Sequence, residues 1–170
     1  PFKKLFEQKD SFVGGLLAKG AAEYYSRKKI DELTDKIQKQ RANGLIWFKF
    51  DSTNNIRSSI KKFVSEDEYQ KIKNKVEPGN NDILFVVAGK ALKTKKILGY
   101  LRTVIADQQN LIPESMFNFL WITDFPLFSE EADNPGRILS EHHPFTGFKN
   151  ISSDELKKDP LKIVSRSYDL

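Results

Sequence analysis

The apolar positions in the first two thirds of the chain predict three helices. Ile30, Leu33 and Ile37 recur at i, i+3 and i+7, the spacing of one helix face, which predicts a helix over residues 26–42 that is capped by Ser26 and stopped by Asn43-Gly44. A capping-box pattern at 65–68 predicts a second helix, with inward residues Tyr69, Ile72 and Val76. The third helix is predicted over 91–105, and its expected apolar face holds Leu92, Ile97, Leu98, Leu101, Val104 and Ile105.

Three strands are predicted, one before the first helix and two between the helices. Residues 12–22 are small, apolar and interrupted by glycines, which favours a strand with a bulge or turn. Residues 45–50 alternate and are rich in aromatics, so we expect a strand half buried against the first helix. The apolar run 83–88 follows the turn sequence 78–81 and suits a central strand. Together these elements predict a two-layer α+β domain, with a mainly antiparallel sheet packed on helices, that ends near residue 113.

The remaining residues, 114–170, have a different pattern. The run 117–128 is dense in aromatic and β-branched residues and predicts a buried strand, interrupted by Pro126. Asp124 lies in this run, and a carboxylate there is expected to have a structural ion-pair or hydrogen-bond partner. An exposed acidic turn at 129–137, a strand resuming at Ile138 and a short helix at 154–158, ended by Pro160, are expected to follow.

Composition excludes several classes of protein. The chain has 170 residues, of which 39% are hydrophobic and none is Cys, so disulfides, thiolate zinc sites and Cys nucleophiles are excluded. The longest apolar run is far shorter than the roughly 18 residues that a membrane helix needs. We therefore expect a soluble protein without a membrane partner, and the absence of Cys is compatible with a cytoplasmic location. Pro1 at the start, without a leader pattern, suggests a piece excised from a longer protein.

Charge divides the chain at the same place. Residues 1–113 carry 22 Lys and Arg against 13 Asp and Glu, whereas residues 114–170 carry 6 against 10. The basic part is able to attract a polyanion such as RNA by neutralising its phosphates. The alternative is that these lysines only form solvated helix faces, since no RNA-binding signature accompanies them.

The two histidines of the chain are adjacent, at His142 and His143. Pro144 favours an extended backbone before it, so the two imidazoles are expected to point to opposite faces. Zinc is disfavoured because neighbouring side chains on a strand point apart and carboxylates at ligand spacing are missing. No phosphate-binding loop or nucleophile motif occurs, so the residues themselves assign no catalytic role, and no metal ligand is expected. The residues alone leave open whether the pair contacts a ligand or is structural.

The order of three motifs then adds a resemblance. FLWITDFPLF, followed by HHPFTGFK and by VSRSYDL, resembles bacterial-type aspartyl-tRNA synthetases, which are class II enzymes. Two upstream segments, SRKKIDELTDKIQKQRANGLIWFKF and PGNNDILFVVAGK, resemble the GAD insertion domain of that family. The resemblance implies a GAD domain over 1–113 and a partial catalytic domain over 114–170.

This resemblance implies a function for the longer protein. The family ligates L-aspartate to tRNA in two steps: the aspartate carboxylate attacks the α-phosphate of ATP in the presence of Mg²⁺, and the aspartyl group then passes to the terminal adenosine of the tRNA. The paired histidines of the family lie beside the bound amino acid, which maps onto His142 and His143, and His142 is the favoured direct contact. The family's motif-two and motif-three arginines, anticodon-binding barrel and motif-one dimer interface are not in these residues. We therefore expect a homodimeric parent, and an inactive, monomeric fragment with no cofactor bound.

A non-enzymatic alternative accompanies this interpretation. The B subunit of tRNA-dependent amidotransferases also carries a GAD domain, so the first part resembles an RNA-contacting or scaffolding module as well. The amidotransferase is the weaker match as parent, because residues 114–170 resemble the synthetase catalytic domain.

Overall fold

The chain forms two compact units, Pro1–Glu114 and Ser115–Leu170. The computed structural model describes residues 10–52, 57–131, 134, 136–149 and 151–169. Pro135, within the predicted acidic turn, lies outside the described residues. The assignment of the two parts to an insertion domain and a catalytic segment stays a prediction.

A four-stranded antiparallel sheet forms the centre of the first unit. Its strands are β1 (Ser11–Ala18), β2 (Ile46–Phe50), β3 (Arg57–Ser58) and β4 (Asp82–Lys90), in the order β1-β4-β2-β3. The register between β1 and β4 runs unbroken from the pair Ser11 and Lys90 to the pair Ala18 and Ile83. The first strand therefore carries no bulge, and its glycine-containing turn follows Ala18. The predicted antiparallel sheet with β4 at its centre is confirmed.

Three helices pack on this sheet: α1 (Arg27–Lys39), α2 (Glu66–Val76) and α3 (Ala91–Gln108). All three were predicted from the sequence. The stop assigned to Asn43-Gly44 is wrong. Lys39 is the last residue of α1, Gln40 is its C-cap, and Arg41 takes the left-handed conformation, with φ 64°. The inward position assigned to Leu92 on α3 is also wrong, since its side chain is 58% exposed.

The helices cover both faces of the sheet. One face packs against α1 and α3, and its cluster includes Leu33, Phe85 and Leu101. The other face packs against α2, where Tyr69 lies in stacked contact with Phe48 and Phe50. The α+β class is confirmed, and α2 adds a helix layer on the face that the predicted two layers left open. Strand β2 therefore contacts helices on both faces: Trp47 packs on the α1 side, whereas Phe48 and Phe50 pack on the α2 side.

Helix α2 begins with the predicted capping box. The Ser65 hydroxyl accepts a hydrogen bond from the Glu68 backbone N–H at 3.3 Å, and the Glu68 carboxylate accepts one from the Ser65 N–H at 2.9 Å. Acidic residues also fill its first turn, where they favour the positive end of the helix dipole. The helix start is thus stabilised by contacts within a few residues of it.

The turn before β4 connects three segments of the first unit. The Asn81 side chain accepts from the Glu23 N–H at 3.0 Å and donates to the Gly20 carbonyl at 2.9 Å, while its backbone N–H donates to the Phe50 carbonyl at 2.9 Å. The buried Asp82 carboxylate accepts from the N–H groups of Gly20 and Gly79, both at 2.8 Å. Asn81 has φ 65°, a conformation that Asn adopts more readily than most residues.

Tyr25 is fully buried between the sheet and α3. Its ring packs edge-on against Phe85 at 4.9 Å, and its hydroxyl donates to the Gln108 side-chain carbonyl at 3.0 Å. Burial, and next the neighbouring Tyr24, raise the pKa of the Tyr25 hydroxyl to about 12. The neutral phenol is therefore the form that the fold selects.

The second unit contains short elements: β5 (Phe128–Glu130), β6 (Ile138–Ser140) and α4 (Ser153–Lys158). The strand at Ile138 and the helix before Pro160 are confirmed, while residues 160–162 form a single 3₁₀ turn. Leu127 and Ile163 are buried in this unit.

The predicted buried strand at 117–128 is wrong over most of its length. Phe117, Phe119 and Trp121 are between 63% and 78% exposed and lie outside any strand. Asp124 has φ 63°, which is incompatible with an extended strand, and Pro126 lacks an N–H for a ladder. Strand β5 starts only at the last residue of the run. The run has the residue types that are typical of strands, but a strand also needs neighbouring strands, and the aromatic pattern does not report whether these are present.

Asp82→Asn is expected to destabilise the first unit by about 2 kcal/mol, because the buried side chain then places an N–H donor against one of the two backbone N–H groups that it binds. The exposed Asp35→Asn on α1 is the control and is expected to change stability by less than about 0.5 kcal/mol. Hydrogen exchange of the β4 amides measures this, since it reports on the first unit alone. Equal effects of the two substitutions would contradict the structural role of Asp82.

Raising the pH is expected to remove a contribution of Tyr25 to stability. Because the folded pKa of about 12 lies above the ordinary value of 10.0, this contribution is complete below pH 10 and is lost as the pH rises through 12. The difference in unfolding free energy between the wild type and Tyr25→Phe should therefore narrow over that interval, measured by urea unfolding followed by circular dichroism. A constant difference would show that the hydroxyl ionises equally in both states.

Candidate functional site

Strand β6 of the second unit leads directly to the histidine pair. The Ser140 hydroxyl donates to the His142 carbonyl at 2.7 Å, and the Thr146 N–H donates to the His143 carbonyl at 2.9 Å. These two bonds hold the backbone on either side of the pair, and a turn at Pro144 and Phe145 follows. The pair thus lies at the end of a strand, where the local backbone is hydrogen-bonded.

The His142 ring is partly buried. It packs edge-on against Phe125 with ring centres 5.8 Å apart, and its Nε2 lies 3.4 Å from the Ser167 hydroxyl oxygen. Ser167 in turn hydrogen-bonds the fully buried Ser165 through their hydroxyls. A hydroxyl that donates to Nε2 leaves the ring proton on Nδ1, so this arrangement is able to fix the tautomer of His142.

The His143 ring is exposed and contacts Phe145 instead. The ring centres are 4.8 Å apart, and Nδ1 accepts a hydrogen bond from the Phe145 N–H at 3.3 Å. Nε2 therefore carries the proton of the neutral ring. The two rings contact different residues, in agreement with the expectation that neighbouring side chains point apart.

An irregular segment at 163–169 positions the serines beside His142. Its backbone donates from Ser165 to the Phe125 carbonyl and from Arg166 to the Gly147 carbonyl, both at 2.8 Å. Further along, Ile122 and Asp169 exchange two backbone hydrogen bonds. The segment thus joins the stretch that contains Ile122 and Phe125 to the stretch after the histidine pair, which contains Gly147.

Asp124 forms the ion pair that the sequence predicted. Its carboxylate accepts from Lys149 and from Thr123, and these hydrogen bonds, Lys149 first, lower its pKa below the usual range. Both side chains of the pair are more than half exposed, so the pair contributes little to stability. Asp124 therefore has a partner without being buried.

Sequence reasoning selected His142 and His143 but missed Phe125, Ser165 and Ser167. The serines lie more than twenty residues from the histidines along the chain, and no spacing rule connects the two. Both serines belong to the motif VSRSYDL, so the resemblance is the one signal in the sequence that connects them with the histidines.

The first unit holds an apolar groove of about 970 Å³ between the sheet and α2. Val13, Ile46 and Val86 form its floor, and Ile72 and Val76 of α2 form one wall. Its lining carries few groups able to do acid–base chemistry.

Within the described parts of the chain, no three His, Asp or Glu side chains are grouped so as to hold a metal ion. In the same residues, no helix has both the length and the apolar character needed to cross a membrane.

The pattern of the GAD domain family matches residues 2–98, which is more than half of the chain. The chain belongs to the GAD domain family. This agrees with the antiparallel sheet and the three helices of the first unit, and residues 99–170 lie beyond the matched GAD segment.

Longer relatives of this GAD protein are similar to both units. An aspartate–tRNA(Asp/Asn) ligase of Persephonella marina is 38% identical over 169 residues, which is 96% of this chain and 28% of that protein. A protein of the same name from Chlamydia abortus and an aspartate–tRNA ligase from Oceanobacillus iheyensis are each 40% identical over 158 residues, which is 93% of this chain and 26% of each relative. The predicted resemblance to aspartyl-tRNA synthetases is confirmed, and the chain spans about a quarter of the length of these relatives.

Proposed function

We propose that this chain is part of an aspartate–tRNA ligase, a class II enzyme of the cytoplasm that activates L-aspartate with ATP and transfers it to tRNA. The observation that carries the proposal is the extent of the similarity to proteins named as such ligases. It covers 93% to 96% of the chain and so extends past the GAD match, which ends at residue 98. A GAD domain alone would fit an amidotransferase subunit equally well.

In this proposal His142 donates a hydrogen bond to a carboxylate of bound L-aspartate. The contact of Ser167 with Nε2 supports this role, because a ring protonated on Nδ1 has a donor free for the ligand. The edge of Phe125 limits how far the ring is able to turn. His143 is proposed as the second aspartate contact, and its exposed Nε2–H is its available donor.

ATP is the co-substrate of the proposed reaction and Mg²⁺ its metal. The described residues do not fit a magnesium site, since no suitable carboxylate or imidazole group is present among them. We assign neither ATP nor Mg²⁺ to this chain and place no catalytic residue in it. The proposal therefore includes two further statements. The isolated chain is inactive and monomeric, and the longer protein is a homodimer.

His142→Ala in the longer protein is expected to raise the KM for aspartate about tenfold or more, the usual effect of losing one hydrogen bond to a charged group. The measurement is aspartate-dependent ATP–pyrophosphate exchange, with exposed Lys157→Ala as the control. An unchanged KM would remove His142 from the proposed site. ATP–pyrophosphate exchange by the 170-residue chain alone would contradict the proposed inactivity of that chain. If the longer protein is folded and shows no exchange, the ligase assignment is contradicted.

A second candidate function is that the GAD unit contacts RNA without catalysis. The observation in its favour is a group of exposed basic side chains on α3, namely Lys93, Lys95, Lys96 and Arg102. In the described parts of the chain none of the four forms an ion pair with an acidic side chain. Their charge is therefore available to phosphates.

If this surface binds tRNA through about four phosphates, the logarithm of the association constant should fall with the logarithm of salt concentration with a slope of about −3. Lys95→Gln combined with Lys96→Gln should make that slope less steep by about 1 to 2, while the control Lys157→Gln in the second unit leaves it unchanged. Fluorescence anisotropy of labelled tRNA measures both. A flat salt dependence, or no binding at low salt, would leave the GAD unit as a structural spacer.

A further inference from the structure

A polar cleft of about 380 Å³ lies in the first unit, beside the turn that precedes β4. The end of β2, the loop before α1 and residues 80–81 form its walls. Its polar side chains are Glu23, Lys49, Asp51, Ser52, Arg57, Asn80 and Asn81. It shares no lining residue with the apolar groove.

Lys49 is the buried cation of this cleft. The residue is 9% exposed, and its ammonium donates to the Tyr25 carbonyl oxygen at 2.6 Å. An ammonium has three N–H donors. Among the residues that the structure describes, this carbonyl is its one acceptor, so two donors remain for a ligand in the cleft.

The charge of Lys49 has no carboxylate in ion-pair contact within the described ranges of the chain. Arg57, the other cation of the cleft, lies 3.4 Å from the Asp51 carboxylate and partly neutralises it. Glu23 is exposed and lies at the rim. Burial, and next the charge of Arg57, lower the pKa of Lys49. An anion beside Lys49 would oppose both effects on this pKa, because it supplies a counter-charge that favours the protonated ammonium.

The two asparagines of the cleft differ in what they are able to offer a ligand. The Asn81 amide is used by the loop, through Gly20 and Glu23. Asn80 is exposed, and in the described part of the structure no hydrogen bond occupies its side chain. Its amide N–H₂ is therefore available as a neutral donor.

We propose that this cleft binds a phosphate oxyanion, held by the Lys49 ammonium with Arg57 and Asn80 as further donors. Lysine binds phosphate as a point charge. The Arg57 guanidinium has five N–H donors, so its ion pair with Asp51 leaves others for a phosphate. The phosphate comes either from a free phosphate or from an RNA backbone, and both present the same oxygens. This site is independent of the proposed ligase activity and of the basic face of α3.

The test is a titration of the ¹⁵N-labelled chain with inorganic phosphate and, separately, with a short single-stranded RNA, followed by NMR. Saturable shifts are expected at the amides of Ala22, Glu23 and Asn81, with a rise in the pKa of Lys49 on saturation. Binding of phosphate assigns the site to free phosphates, and cleft shifts with RNA alone assign it to the RNA backbone.

Two substitutions and one control complete the design. Lys49→Met keeps most of the apolar stem and should raise the dissociation constant about tenfold, the usual effect of losing one charged hydrogen bond. Asn80→Asp changes only an exposed side chain and should raise it about fivefold by placing a like charge beside the ligand. Lys71→Gln on α2 should leave it unchanged, because that exposed lysine lies outside both the cleft and the basic group on α3.

Three results would overturn the proposal. The first is shifts that never saturate with either ligand, and the second is RNA shifts confined to α3. The third is equal affinity in Asn80→Asp, Lys49→Met and Lys71→Gln, which would leave Lys49 as a support for the Tyr25 carbonyl only. If Lys49→Met does not fold, Asn80→Asp alone decides between these outcomes.

Discussion

Two adjacent polar side chains, Asn81 and Asp82, hold together the end of the sheet on which the first unit depends. These side chains bond the loop after β1 and the turn before β4, while the Asn81 backbone N–H donates to the end of β2. The buried Asp82 carboxylate needs such donors, because a buried charge without hydrogen-bond partners is costly. This constraint fixes where the chain enters α1, and therefore where the Tyr25 carbonyl meets Lys49.

The second unit is organised differently, because its regular elements are short. Outside the β5–β6 pair and the short helix, it is joined by single bridges and backbone contacts, such as those that 163–169 makes with Phe125 and Gly147. A site built this way depends on several weak contacts rather than on one ladder. The environment of His142 comes from Phe125 and Ser167, which lie on two different stretches of chain.

Local chemistry explains which elements could be predicted. The capping box at Ser65 and the helix with Leu33 were found because a few neighbouring residues decide them. The aromatic run from Phe117 was misjudged because a strand also needs partners distant in the chain, and sequence periodicity does not report them. The same limit hid Ser167 from the histidine site. The family resemblance supplied the role of the histidine pair, which residue type alone left open.

The pairing of β1 with β4 has a consequence for how the first unit is made. Ser11 finds its partner at Lys90, so the first strand emerges from a ribosome long before the strand that it pairs with. Closing so long a loop is slow compared with helix formation, and it costs chain entropy before any ladder bond forms. Helix α2, with its local cap, is able to form while β1 is still unpaired. During synthesis β1 therefore stays without its partner strand until β4 has emerged.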